Sequence, residues 1–267
     1  MTEFKFNASD YLKRIEMSKK VLPTLESLHD LHAAQIFSIP FENFDICLGN
    51  GVHLSPNHIF DKLVHKKRGG YCYELNGLML MALKFYGFDA KAALARVHLS
   101  GAASGRNHQF TVVTLNNEQW ILDAGFGSNT PIAPLPLVLN KVLTIKHKTY
   151  RYVERELVGI MYQTWVNGEW MDLYSFDLGY VCQGDIDYAN YYTSTHPNSF
   201  FFSSRVAVQP FSNGMYSLHN FTLKKIEGNS TQVIELPPGE PYMKALEDYF
   251  GIALEVPYDR LRGISVD

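Results

Sequence analysis

Arg68-Gly69-Gly70-Tyr71-Cys72-Tyr73-Glu74-Leu75-Asn76 is a glycine-rich turn that feeds a helix, and it sets a cysteine where that helix begins. Backbone N–H groups in the first turn of a helix have no partner within it, and the dipole is positive there. Both favour the thiolate, the nucleophilic form of cysteine. The two glycines allow substrate or backbone to approach the sulfur closely. The plain alternative is a buried cysteine acting as a small hydrophobe. Cys47 and Cys182 have neither the turn nor the helix start, and for them the plain alternative suffices.

Outward from this turn the pattern is helical on both sides. Asn7 and Ser9 are candidate N-caps before Tyr11, Leu12 and Ile15. Thr24 opens a segment with Leu25, Leu28, His32 and Ile36 on one face, which stops before Pro40. Ser55-Pro56 is a cap followed by proline at the first helical position, and Ile59, Phe60, Leu63 and Val64 supply the apolar stripe. The cysteine helix runs to about Tyr86 and ends at Gly87, with Leu75, Leu78, Met79, Ala82 and Phe85 turned inward. From Asp89 the period changes to strands over 90–97, 109–115 and 119–123, the last two joined by a turn at Asn116-Asn117. Asn167-Gly168 makes a hairpin of 162–166 and 169–174. Stretches 205–209, 216–224 and 232–236 read as further strands, and 241–250 as one helix. The sum is an α+β body.

The 267 residues carry 24 Lys and Arg against 27 Asp and Glu, and this balance gives no basic footprint for nucleic acid. Lys66-Lys67-Arg68 is too short to supply one. No apolar run approaches the ~20 residues that cross a bilayer. The start, MTEFKFNASDYLKR, has no apolar core of a secretory signal. Three cysteines are an odd and sparse set that suits a reducing cytoplasm. A cytoplasmic protein with neither a nucleic-acid nor a membrane partner is expected.

A catalytic cysteine needs a base, and the base needs an orienting group. His108 immediately precedes a strand, and Asp123 ends the run Gln119-Trp120-Ile121-Leu122-Asp123 before Ala124-Gly125-Phe126-Gly127. An acid there is costly to bury unless it is paired. The turn at Asn116-Asn117 brings the two residues near corresponding ends of adjacent antiparallel strands, where they become neighbours. Cysteine on a helix, with histidine and aspartate on a sheet, is the layout of a papain-like thiol enzyme. A lone strand-end aspartate is more often a turn former. His29 and His32 lie three apart on a helix without a third ligand, and no zinc or nucleotide motif occurs, so no metal is expected. His196 before Pro197 reads as a surface turn.

Several segments together resemble the arylamine N-acetyltransferase family, in its bacterial-type members. They are Ile39-Pro40-Phe41-Glu42-Asn43, the cysteine turn, His108, Asp123-Ala124-Gly125-Phe126-Gly127 and Ser194-Thr195-His196-Pro197-Asn198-Ser199, in the family's order. Departures are mild: Tyr71 and Tyr73 flank the cysteine where phenylalanine or another residue often stands, and Ala124 replaces a frequent valine. The loop Ser128-Asn129-Thr130-Pro131 varies more, which leaves the mode of coenzyme A binding open.

The resemblance implies a helical domain over 1–88 carrying the nucleophile, a β-barrel domain over 89–195 carrying His and Asp, and an α/β lid over 196–267. It implies Cys72, His108 and Asp123 as a catalytic triad, acetyl-CoA as donor, and an arylamine or arylhydrazine as acceptor in xenobiotic metabolism. The reaction it implies is ping-pong acetyl transfer to nitrogen, extending to the oxygen of N-hydroxyarylamines. Phe41, Phe126 and Phe201 are the implied acceptor lining, and Ser104, Gly105, Tyr192 and Asn198 the implied coenzyme A contacts. Other acyl transfer, intramolecular amide synthesis or thiol hydrolysis compete on the same triad. A non-catalytic binding module is a third reading, against which all three triad members are present.

Overall fold

Capping and proline placement set the helices of the computed structural model, which describes residues 4–228 and 230–264. The first residues of the leader reading, 1–3, lie outside the described residues. Helix α1 (Ala8–Arg14) is capped by Asn7, whose side chain accepts the Asp10 N–H, so Ser9 falls inside the helix. Helix α2 (Leu25–Ser38) is capped by Thr24 and ends ahead of Pro40. A two-residue strand, β1 (Phe41–Glu42), and a short helix, α3 (Phe44–Cys47), follow. Helix α4 (Pro56–Phe60) starts on its proline and widens into a π-type turn over Asp61–His65. Helix α5 (Cys72–Phe85) begins at the cysteine.

The next strands are β2 (Asp89–Val97), β3 (Arg106–Leu115), β4 (Glu118–Leu122), β5 (Leu135–Pro136), β6 (Leu143–Ile145), β7 (Lys148–Arg155), β8 (Gly159–Val166) and β9 (Glu169–Phe176). They form one antiparallel sheet in the order β5-β4-β3-β2-β9-β8-β7-β6. It curls into a half-barrel around buried rings, among them Phe110, Tyr152, Tyr162, Tyr174 and Phe176. Left-handed Asn167 and Gly168 (φ 52° and 88°) make the β8–β9 turn, and Asn116 and Asn117 make the β3–β4 turn.

Helices α6 (Gln183–Thr195) and α7 (Phe200–Ser203) lead to a second antiparallel sheet. Its strands are β10 (Val206–Phe211), β11 (Gly214–His219), β12 (Thr222–Glu227) and β13 (Ser230–Glu235), in the order β1-β10-β11-β12-β13. The stretch 216–224, read as one strand, is therefore two strands and a turn. Asn220 turns the chain at φ 55°, a conformation asparagine tolerates, and its side chain accepts the Arg205 N–H. The apolar face of helix α8 (Glu240–Phe250) packs within the chain, where Tyr242, Leu246 and Phe250 join Leu218 and Leu223. No helix of the described residues is long and apolar enough to cross a membrane.

Candidate active site

Cys72 is the first residue of α5 and is buried. The turn ahead of it is fixed by packing and by charge. A Cβ on Gly69 would lie 2.2 Å from the Pro40 carbonyl oxygen, and one on Gly70 would lie 2.8 Å from Cβ of Glu74. The space those glycines leave is thus filled by the chain itself, by the end of the α2–β1 connection and by Glu74, rather than by a ligand above the sulfur. Glu74 Oε2 accepts the Tyr71 N–H at 3.1 Å and caps the helix, while its Oε1 takes Lys62 at 2.8 Å. Lys62 also meets Asp45 at 2.6 Å, and Arg68 meets Glu42 at 2.7 Å. Five mostly buried charges tie α3, the end of α4, β1 and the cysteine turn together. Burial, with the carboxylates of Glu42 and Asp45 nearby, raises the Glu74 pKa, and Lys62 opposes that rise.

The β3–β4 register pairs Thr111 with Leu122, so Asp123, one residue past the strand, falls diagonally beside His108. The structure brings the two together. His108 Nε2 donates to Asp123 Oδ2 at 2.7 Å, and both side chains are buried. The second carboxylate oxygen accepts the Gly125 N–H at 2.9 Å and Asn76 Nδ2 at 3.0 Å. Burial works against charge on His108. The Asp123 carboxylate and its hydrogen bond, joined by Cys72, outweigh it and raise the pKa to about 10. Burial likewise raises Asp123, yet His108, Gly125 and Asn76 hold it below the ordinary carboxylate value. With Nε2 taken by Asp123, the imidazole nitrogen left for Cys72 is Nδ1.

Two residues that the sequence reading gave no part in the site hold this pair in place. Asn76 donates to the Gln109 carbonyl at 2.7 Å as well as to Asp123, and accepts the Ala124 N–H at 2.8 Å. It therefore fixes the strand of His108 and the loop of Asp123 from the helix of Cys72. Its signal was its spacing, because four residues after Cys72 is the same helix face. His32 is fully buried and donates Nε2–H to the Asp123 backbone carbonyl at 3.1 Å. Burial brings its pKa down to about 4, so it stays neutral and serves as a donor. His29 turns away, edge-on to the Trp120 ring. Gly125 completes the assembly: a Cβ there would lie 2.9 Å from Cys72 Cα, so loop and helix start meet backbone to backbone.

The expected aromatic residues fall in two groups. Phe126 lies 4.7 Å from the His108 ring, and Tyr174 packs against both. Phe41 and Phe201 pair at 5.8 Å, and Tyr71 stands edge-on to Phe201. Asn43 ties these segments by donating to the Phe201 and Ser204 carbonyls. The four expected coenzyme A residues also fall in two places. Ser104 is engaged within its own loop, donating to Asn107 at 2.6 Å and accepting the Val97 N–H, and Gly105 beside it faces open space. Tyr192 stacks on His196 at 4.5 Å, and the Asn198 N–H donates to His196 Nδ1. His196 thus joins the end of α6 to the loop that follows. Among the described residues, no group of three or more His, Cys, Asp or Glu side chains is arranged to hold a metal ion.

A buried thiol at a helix start, next to an imidazole held by a carboxylate, has the parts needed for nucleophilic acyl transfer. Comparisons with known proteins agree with that chemistry. The N-acetyltransferase family model matches residues 24–258. The chain is 33% identical over 248 residues to the Salmonella typhimurium arylamine N-acetyltransferase / N-hydroxyarylamine O-acetyltransferase, covering 91% of this chain and 88% of that protein. The solved structure of the Salmonella typhimurium arylamine N-acetyltransferase superposes with a TM-score of 0.88 at 31% identity, covering 91% and 90% of the two chains. That of the Mycobacterium marinum arylamine N-acetyltransferase in complex with CoA gives 0.87 at 32% identity, covering 92% and 93%.

Proposed function

The chain belongs to the arylamine N-acetyltransferase family, and from that premise we propose that it carries acetyl groups from acetyl-CoA to arylamine or arylhydrazine nitrogen through an acetyl-Cys72 intermediate. The observation that carries this reading is the 2.7 Å His108–Asp123 bond, buried beside a cysteine at the start of a helix. The Cys72 thiolate, paired with the His108 imidazolium, attacks the thioester carbonyl. A carbon–sulfur bond forms to Cys72, the bond to coenzyme A breaks, and the leaving thiolate takes a proton from His108. Asp123 orients the imidazole and stabilises its positive charge. The amine then attacks the acetyl-cysteine, His108 removes its proton, and Cys72 is released. A thioester intermediate keeps the acyl reactivity of the donor, which a weakly nucleophilic aromatic amine requires.

Phe126, lying on the His108 ring, and the Phe41–Phe201 pair form the acceptor side in this reading, where flat rings favour a flat acceptor. The Salmonella typhimurium relative is also an N-hydroxyarylamine O-acetyltransferase, and the same acetyl-cysteine serves an oxygen acceptor. Ser104, Gly105, Tyr192 and Asn198 border coenzyme A, and the cytoplasm supplies it. Intact-protein mass spectrometry after mixing with acetyl-CoA and no acceptor tests the proposal. One added acetyl group is expected, absent from Cys72→Ala and discharged by aniline. No added group together with no release of coenzyme A refutes it.

A further inference from the structure

Coenzyme A is a polyanion: its terminal phosphate monoester alone carries about −1.5 to −2 at pH 7, and a diphosphate adds to that. Beside the expected contacts on α6 and the β2–β3 connection, the Arg96 guanidinium is engaged by the Ser104 carbonyl, to which it donates at 3.2 Å. Arg106, next to Gly105, is paired with Asp177, and the hollow it lines with Tyr180 and Tyr188 also holds Asp185. A second cavity, of about 160 Å³, has the opposite character. Lys146, His147 and Lys148, from the β6–β7 connection and the start of β7, line it, and no carboxylate does. Among the described residues neither lysine has an ion-pair partner. Lys148 is half-buried, and burial pulls its pKa down without an acid to restore it. The facing wall is the β10–β11 turn at Asn213-Gly214. The floor is Gly127-Ser128, which directly follows Phe126, and Ser128 Oγ lies 3.2 Å from Ser217 Oγ on β11. The cavity therefore starts one residue from the ring that covers His108.

Building on the proposed use of acetyl-CoA, we propose that the Lys146–Lys148 cavity is the subsite for a phosphate group at the nucleotide end of coenzyme A. An uncompensated pair of ammonium groups on a cavity wall, one of them partly desolvated, attracts a phosphate more strongly than an exposed lysine does. The apolar part of the wall, Phe37 and Met215, suits the uncharged remainder of the donor.

Calorimetric binding of coenzyme A, 3′-dephospho-coenzyme A and pantetheine to the whole protein tests this independently of catalysis. Lys148→Met keeps the apolar stem and deletes the charge. It is expected to weaken coenzyme A about tenfold, as is Lys146→Ala, while pantetheine is bound unchanged. Lys148→Arg is expected to recover most of the loss, which separates charge from folding. If both variants leave 3′-dephospho-coenzyme A unaffected, the phosphate held is the 3′-group. If they weaken it equally, the phosphate held is the diphosphate. Unchanged coenzyme A affinity in both variants, an equal loss for pantetheine, or no binding of coenzyme A by the wild type overturns the proposal. Failure of the acetyl-transfer reading looks different: coenzyme A binds, yet Cys72 gains no acetyl group.

Discussion

Asn76→Ala removes the one side chain that touches the strand of His108, the carboxylate of Asp123 and the loop beyond it. The buried Ala124 N–H loses its acceptor, which costs about 1–3 kcal/mol, and the Asp123 carboxylate loses one of its donors, worth about 1.5–3 kcal/mol. The two losses share one network, so about 3 kcal/mol is expected rather than their full sum. With a urea slope near 3 kcal/mol/M for a chain of this size, the unfolding midpoint falls by roughly 1 M. Asp123 keeps His108 and Gly125, so the imidazole stays in place but less firmly, and reaction of Cys72 with iodoacetamide slows. Cys182 is exposed and reacts as well, so the assay is run in a Cys182→Ser background. An unchanged midpoint refutes the energetic reasoning. A lowered midpoint with wild-type alkylation shows that Asn76 holds the fold but does not position Asp123.

Acid is expected to act through His32. Its pKa is about 4 in the folded chain against 6.5 in the unfolded one, so between those values the unfolded state binds the extra proton and stability falls as pH drops. The loss approaches about 3 kcal/mol, and His32→Gln, which keeps a donor that cannot charge, is expected to lose less between pH 7 and pH 4.5 in urea titrations. Gly125→Ala forces a methyl against the Cys72 backbone and is expected to cost about 1–3 kcal/mol and to lower kcat, read by melting and by steady-state acetylation. Lys62→Met leaves Glu74 without its cation and Asp45 with Arg68 alone, at 3.4 Å, and is expected to cost about 3–5 kcal/mol. Adding Glu74→Gln is expected to return part of that loss, and strict additivity of the two changes argues against the pair.

Helices α1, α2, α4 and α5 and the hairpins at Asn116-Asn117 and Asn167-Gly168 were legible because caps, prolines and left-handed asparagines act locally. Helix α6 was not, because only Ile186, Asn190, Thr193 and Ser194 of Gln183–Thr195 are buried, which leaves no apolar stripe to read. Strand β1 is two residues long and forms only against distant segments, β10 and the bridge to Gly70. The His108–Asp123 contact followed from one turn and one register, both short-range features. The part of His32 did not, since it depends on tertiary contacts that sequence spacing does not encode, and the spacing of Asn76 from Cys72 marks its helix face but not its partners. The two glycines of the cysteine turn were read as room for substrate or backbone, and what fills that room is the chain itself, Pro40, Glu42 and Glu74.

The pairing of β1 with β10 joins Phe41 to Val208. A ribosome adding about 5–20 residues per second needs roughly 8 to 33 s to cover the stretch between them. For most of that interval the chain around Cys72 has been made, but the strand that pairs with its flanking segment has not. Release of a chain terminated between Asp123 and Val206 therefore yields a protein that possesses its cysteine, histidine and aspartate and lacks the β10 partner of Phe41–Glu42. For this chain, the pairing of Phe41–Glu42 with the second sheet is a late event of synthesis, although the thiol itself is an early one.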